Sequence, residues 1–157
     1  MVAHMASNLL EHGTWVLVCD GGKALLLQND GDQKFPNLRK HEEFESHNRP
    51  SHDLGTAKPG RVFSGKGGRH AAIEPTDLHR IAEEEFLAKV AEMLEERVRT
   101  GSIRALVLVA PPRALGALRH RFSAAVRASV RAEVEKDYVK APIYEIEHHL
   151  QAISSGG

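Results

Sequence analysis

The sequence predicts a single α/β domain, built on a mixed five-stranded sheet with helices packed on its faces. Residues 15–19 and 106–109 are short, nearly continuous apolar runs, typical of strands buried on both faces. A long helical pattern over residues 75–100 separates them, which predicts a right-handed crossover between parallel strands. The turn signal Asp20-Gly21-Gly22 follows the first run and predicts an antiparallel hairpin.

The first half of the chain predicts three consecutive strands. Residues 15–19 form the first, and residues 24–27 form the second across the Asp-Gly-Gly turn. Residues 35–46 alternate imperfectly between apolar and polar side chains, which favours a third strand at the sheet edge.

The second half predicts helices alternating with strands. The long helix opens at Pro75 after Glu74, and Gly101 suits the position just beyond its last turn. The remaining elements are a fourth strand at residues 103–110, a short helix at 113–121, a fifth strand at 128–135 and a final helix at 143–153.

These connections predict the strand order 3-2-1-4-5, with the second strand antiparallel and the apolar first and fourth strands central. This is the ribonuclease-H-like arrangement. We expect the packed domain to span residues 14–153, with disordered tails at residues 1–13 and 154–157.

Composition excludes several classes of protein. The single cysteine, Cys19, rules out an internal disulfide and a cysteine-based zinc site. No apolar run approaches the ~18 residues of a transmembrane helix, and no secretory signal is visible. We therefore expect a cytoplasmic protein with no membrane span, no metal and no cofactor.

A glycine-rich basic loop at about residues 48–73 is the candidate functional segment. No acidic residue lies between Asp53 and Glu74. Basic side chains neutralise phosphates, and paired glycines let a backbone approach its partner closely. The predicted RNA- or phosphate-binding residues are Lys58, Arg61, Lys66, Gly67, Gly68 and Arg69. His70 is the candidate catalytic residue, since an imidazole can carry protons near neutral pH.

Two motif matches, to a P-loop and to a metal-dependent nuclease site, are not supported by the residues around them. Residues 60–66 fit the start of a P-loop, but Gly67 stands where Ser or Thr would bind Mg²⁺, and the helix begins only near Pro75. Asp20 ends the first strand, where a metal-dependent nuclease would require further carboxylates. The fourth strand ends in Ala110-Pro111 and supplies none, so we interpret Asp20 as a turn residue.

Several segments resemble the bacterial host attachment proteins, described as required for attachment to host cells. They are residues 16–24 (VLVCDGGKA), 65–70 (GKGGRH) and 106–116 (LVLVAPPRALG). Residues 133–138, followed by Pro142, resemble the closing strand and helix of that family. The resemblance covers residues 13–150.

That family is similar to the middle domain of archaeal and eukaryotic peptide-chain release factors. In those proteins the corresponding loop carries Gly-Gly-Gln and reaches the peptidyl-tRNA ester. Gly67 and Gly68 match the paired glycines, whereas Arg69 replaces the glutamine, which argues against peptide release itself. The resemblance implies a ribonuclease-H-like sheet, tRNA or the ribosome as partner, and a tRNA-linked ester as the substrate class.

Two functions remain open at this point. The first is a cytoplasmic RNA- or ribosome-associated domain that uses the glycine-rich loop. The alternative is a non-catalytic protein-interaction or regulatory factor that affects attachment to host cells. The sequence does not decide whether the protein is an enzyme, because a hydrolase interpretation rests only on its ten histidines.

Overall fold

The computed structural model describes residues 9–46 and 75–156, and within them it has the predicted five-stranded sheet. The strands are β1 (Trp15–Cys19), β2 (Lys23–Asn29), β3 (Leu38–Glu45), β4 (Leu106–Ala110) and β5 (Val130–Glu135). The helices are α1 (Pro75–Arg99), α2 (Pro112–Arg121), α3 (Ala124–Ser129) and α4 (Ile143–Gly156). The glycine-rich basic loop lies outside the described residues.

The strand order β3-β2-β1-β4-β5 confirms the predicted topology. β2 pairs antiparallel with β1 and β3. β4 pairs parallel with β1, with Val16 opposite Val107, and β5 pairs parallel with β4. β1 is the middle strand of the five, and β4 lies directly beside it, so the two apolar strands are adjacent in the interior of the sheet.

The apolar run of β1 is continuous because helices or chain segments cover both faces of the sheet. Leu17 and Cys19 point into a cluster completed by side chains from α1, α2 and α3. Val16 and Val18 point into a second cluster on the opposite face, completed by α4. The result is a three-layer arrangement with β1 and β4 in the middle.

The packed part of the chain starts earlier than the predicted domain boundary at residue 14. Leu9 and Leu10 are fully buried in the second cluster, so the expected disordered tail over residues 1–13 does not include them. The side-chain amide of Asn29 donates to the Leu10 carbonyl at 2.6 Å, and the Gly13 N–H donates to the Asn29 carbonyl at 2.8 Å. Two leucines without a repeat give no periodic signal in the sequence.

The segment before β5 also differs from the prediction. Residues 128 and 129 end a short helix, α3, and the strand begins only at Val130. The Ser123 hydroxyl caps this helix by accepting from the Val126 N–H at 3.2 Å. At the other end of the chain, α4 continues past the predicted limit at residue 153 to Gly156.

No helix within the described parts of the chain has the length and apolar character needed to cross a bilayer.

A charged cleft at the carboxyl ends of β1 and β4

A cleft of about 870 Å³ opens where β1 and β4 end, and we call it the carboxyl-edge cleft. The turn after β1, the first turns of α1 and the start of α2 form its walls. Its charged and titratable lining residues are Asp20, Glu83, Glu84, Arg80, Arg113, Lys140 and His79. Four helical residues, Ala82, Leu87, Ala114 and Ala117, line its apolar side.

The topology of the sheet explains why a cleft forms at this point. The chain leaves β1 toward β2 on one side and leaves β4 toward β5 on the other. Adjacent parallel strands whose connections diverge leave a crevice outside their carboxyl ends, and α/β proteins commonly bind ligands there. The carboxyl-edge cleft occupies this switch point.

Asp20 shapes the turn that forms one wall of the cleft. Its Oδ1 accepts hydrogen bonds from the backbone N–H of Gly22 at 2.8 Å and of Lys23 at 2.9 Å. This geometry confirms the interpretation of Asp20 as a turn residue. One carboxylate oxygen is therefore committed to holding the β1–β2 hairpin closed.

Glu83 of α1 lies directly against this turn because Gly21 has no side chain. A Cβ atom at position 21 would come within 2.7 Å of the Glu83 Cγ and Cδ atoms. The Glu83 carboxylate also faces Arg113 of α2, with Nη2 of the arginine 3.5 Å from Oε1. This ion pair links the two helices that form the walls of the cleft.

Both ends of the undescribed segment flank the carboxyl-edge cleft. Ser46 follows β3 and lines the cleft, and its N–H donates to the Gly22 carbonyl at 2.9 Å. After the segment, α1 begins at Pro75, and His79 on the next turn of this helix lines the same cleft. The predicted loop residues Lys58, Arg61, Lys66, Gly67, Gly68, Arg69 and His70 all lie outside the described residues.

The basic residues that follow β4 are divided between two environments. Arg113 lies in the carboxyl-edge cleft, whereas Arg119 pairs with Glu133 of β5 at 2.6 Å. Hydrogen bonding to this carboxylate raises the pKa of the Arg119 guanidinium. Since Glu133 neutralises Arg119, the sequence stretch contributes less free positive charge than its composition indicates.

Nucleophilic and metal-binding chemistry finds little support among the described residues. Cys19 is buried beneath the turn, and burial raises the pKa of its thiol to about 12, which keeps the sulfur protonated. No group of three or more His, Cys, Asp or Glu side chains in residues 9–46 and 75–156 converges in a metal-binding geometry.

Sequence reasoning did not identify the carboxyl-edge cleft, because its residues come from distant parts of the chain. Arg80, Glu83 and Glu84 are polar residues of a helix that is mostly polar, and nothing local distinguishes them. Lys140 lies in the connection between β5 and α4. The usable signal was the strand order, since it predicts where the crevice opens.

Comparisons with known proteins give one family. The sequence model of the family described as "Protein required for attachment to host cells" matches residues 15–150. No individually curated protein matches the chain. A solved structure, ethanolamine utilization protein EutJ from Carboxydothermus hydrogenoformans, is similar at 11% identity and a TM-score of 0.39. The match covers 98% of this chain but 53% of that one, and similarity at this level carries no functional argument.

Proposed function

This chain belongs to the family of proteins required for attachment to host cells, and we propose that it is a cytoplasmic RNA- or ribosome-associated member of that family. The observation that supports the proposal is the position of the described residues on either side of the glycine-rich basic loop. Both described flanks of the loop line the carboxyl-edge cleft, which itself contains Arg80, Arg113 and Lys140. A loop attached there adds its own positive charges to those of the cleft rim.

In this proposal the loop contacts the RNA backbone. Its basic side chains, Lys58, Arg61, Lys66 and Arg69, neutralise phosphates. Gly67 and Gly68 have no Cβ and permit the backbone to come close to the partner. His70 follows them and is the candidate to position a water or transfer a proton at a tRNA-linked ester. The resemblance to the release-factor middle domain motivates the choice of substrate class.

The direct test is a salt titration of tRNA and ribosome binding by the wild type and the Lys66→Ala/Arg69→Ala variant. Each phosphate contact contributes a slope of about −0.7 to −0.9 in a plot of log affinity against log salt. We expect the double variant to bind more weakly and to flatten the slope by about one to two units.

The matched control is Lys34→Ala/Arg104→Ala, which removes the same charge at the opposite edge of the sheet. Lys34 lies between β2 and β3, and Arg104 precedes β4. This control should bind like the wild type. Identical affinity and slope in all three proteins would contradict the proposed loop contact and leave the protein-interaction function in place.

That second function, a non-catalytic interaction or regulatory role in attachment, has one favourable observation. Leu78 and Ile81 of α1 are about half exposed, at 50% and 51%. They are three residues apart and so share one helix face. Exposed leucine and isoleucine side chains on one helix face are typical of a protein contact. Replacing both with Ser should abolish partner capture while leaving the affinity for tRNA unchanged.

A further inference from the structure

The carboxyl-edge cleft contains basic side chains that its own carboxylates do not pair with. The Arg113 side chain is 71% exposed, and its 3.5 Å separation from Glu83 exceeds the ~2.8 Å of a strong charge-assisted hydrogen bond. Within residues 9–46 and 75–156, neither Arg80 nor Lys140 has a carboxylate at ion-pair distance. Asp20, by contrast, already accepts two backbone N–H groups. Among the described residues, Glu84 is the one lining carboxylate with neither an ion pair nor a hydrogen bond, whereas Arg80 and Lys140 are both unpaired and Arg113 is held only loosely. The unpaired charges of the cleft are therefore mainly positive.

The lining of the cleft combines charged side chains with apolar ones. Besides its charged side chains, the cleft is lined by Ala82, Leu87, Ala114 and Ala117, which belong to α1 and α2. Pockets for small ligands commonly have volumes of ~300–1,000 Å³, and the volume of about 870 Å³ falls in that range. A ligand with an anionic group and a less polar body fits this lining.

We propose that the carboxyl-edge cleft binds a phosphorylated ligand of about mononucleotide size, with its phosphate held by Arg80, Arg113 and Lys140. The planar arginine fork binds phosphate through paired N–H groups, and lysine adds a mobile point charge. The ligand is either a free nucleotide or the terminal nucleotide of an RNA, since both present the same chemistry. The inference goes beyond the proposed loop contact and does not depend on it.

Glu83 is the competitor of the ligand in this site. A phosphate that binds Arg113 takes the guanidinium from the Glu83 carboxylate and approaches a second negative charge. Replacing Glu83 by Gln keeps the side-chain shape but removes both the competition for Arg113 and the repulsion between the carboxylate and the phosphate. The variant Glu83→Gln should therefore bind phosphate more tightly than the wild type, whereas a site that held the phosphate through a metal ion on Glu83 would weaken.

The experiment is a calorimetric titration of the full chain with AMP, with adenosine as the matched ligand without phosphate. We expect AMP to bind at least tenfold more tightly than adenosine. Arg113→Gln/Lys140→Gln should lose at least tenfold in AMP affinity, while the control Lys34→Gln/Arg104→Gln, at the opposite sheet edge, should not change. Circular dichroism checks that each variant is folded. We expect all of them to fold, because the replaced side chains are exposed.

A 5′-phosphorylated trinucleotide identifies the source of the ligand. Tighter binding of the trinucleotide than of AMP assigns the cleft to an RNA end, and binding of AMP alone assigns it to a free nucleotide. The Lys66→Ala/Arg69→Ala variant should bind AMP like the wild type, so failure of the loop contact and failure of the cleft are distinguishable. Equal binding of AMP and adenosine, indifference to the Arg113/Lys140 changes, or weaker binding by Glu83→Gln would overturn the proposal.

Discussion

Glycines in this protein have opposite consequences depending on what surrounds them. A Cβ at Gly31 would overlap the backbone carbonyl of Phe35, and a Cβ at Gly21 would press on the flexible Glu83 side chain. Gly116, in the interior of α2, has nothing within 4 Å of the Cβ position. The residue type alone therefore does not indicate which glycine is required, because the difference lies in neighbours that the sequence does not place together.

Gly116→Ala should stabilise the protein by about 0.5–1 kcal/mol. Alanine is the better helix former by this amount, and the added methyl group meets no other atom. Gly31→Ala is the matched substitution and should destabilise by ~1–3 kcal/mol, since backbone must move to accommodate the methyl group. Urea unfolding of both variants measures the free energies, and a stabilising Gly31→Ala would contradict the packing described for the β2–β3 turn.

At the scale of elements, an ion pair fastens the edge strand β3 to α1. Two guanidinium nitrogens of Arg97 contact the two carboxylate oxygens of Glu42 at 2.7 and 2.8 Å. These hydrogen bonds lower the pKa of Glu42, and they raise the pKa of Arg97. The pair is bidentate and joins the outermost strand to the helix layer that covers the sheet.

Glu42→Gln should cost about 0.5–1 kcal/mol at pH 7, a small value because the pair is partly exposed and screened by solvent. The pKa of Glu42 is lowered by folding, so its contribution is fully present above the usual value of 4.5 and is lost as the pH falls through the folded value. The difference in unfolding free energy between wild type and variant should therefore shrink below pH 4.5. A difference that stays constant down to pH 2 would show that the charge of Glu42 is not involved.

A helix or strand could be predicted where its local sequence pattern matches what its packing in the fold requires. β1 matched its prediction because residues buried on both faces must all be apolar, and α1 because Pro75 and Gly101 mark its ends. α3 was missed because a six-residue helix capped by Ser123 gives too short a pattern. The carboxyl-edge cleft was missed for a different reason: it depends on which distant segments meet.

At the scale of the whole molecule, different parts of the chain cover the two faces of the sheet. α1, α2 and α3 cover one face, while α4 and the segment with Leu9 and Leu10 cover the other. Leu10 is 1% exposed, and its carbonyl is held by the buried Asn29 side chain. The N-terminal segment is thus part of the second hydrophobic cluster.

Leu10→Ala should lower the unfolding free energy by about 2–5 kcal/mol, because it removes buried methyl groups and leaves a cavity against the sheet. Leu78→Ala is the matched control, since Leu78 is half exposed and its truncation should change stability by no more than ~0.5 kcal/mol. Thermal unfolding monitored by circular dichroism compares the two. Equal midpoints would mean that the segment before β1 does not pack on the sheet.

The parallel pairing of β1 with β4 has a consequence for how the chain folds. Trp15 lies opposite Leu106, so the two central strands are separated by most of the chain, whereas β1, β2 and β3 are consecutive neighbours. The three-stranded meander can form early from local contacts, but one edge of β1 then stays unpaired until residues 106–110 arrive. Insertion of β4 is therefore the expected slow step, and a nascent chain that has not yet reached it exposes its most apolar strand edge to other chains.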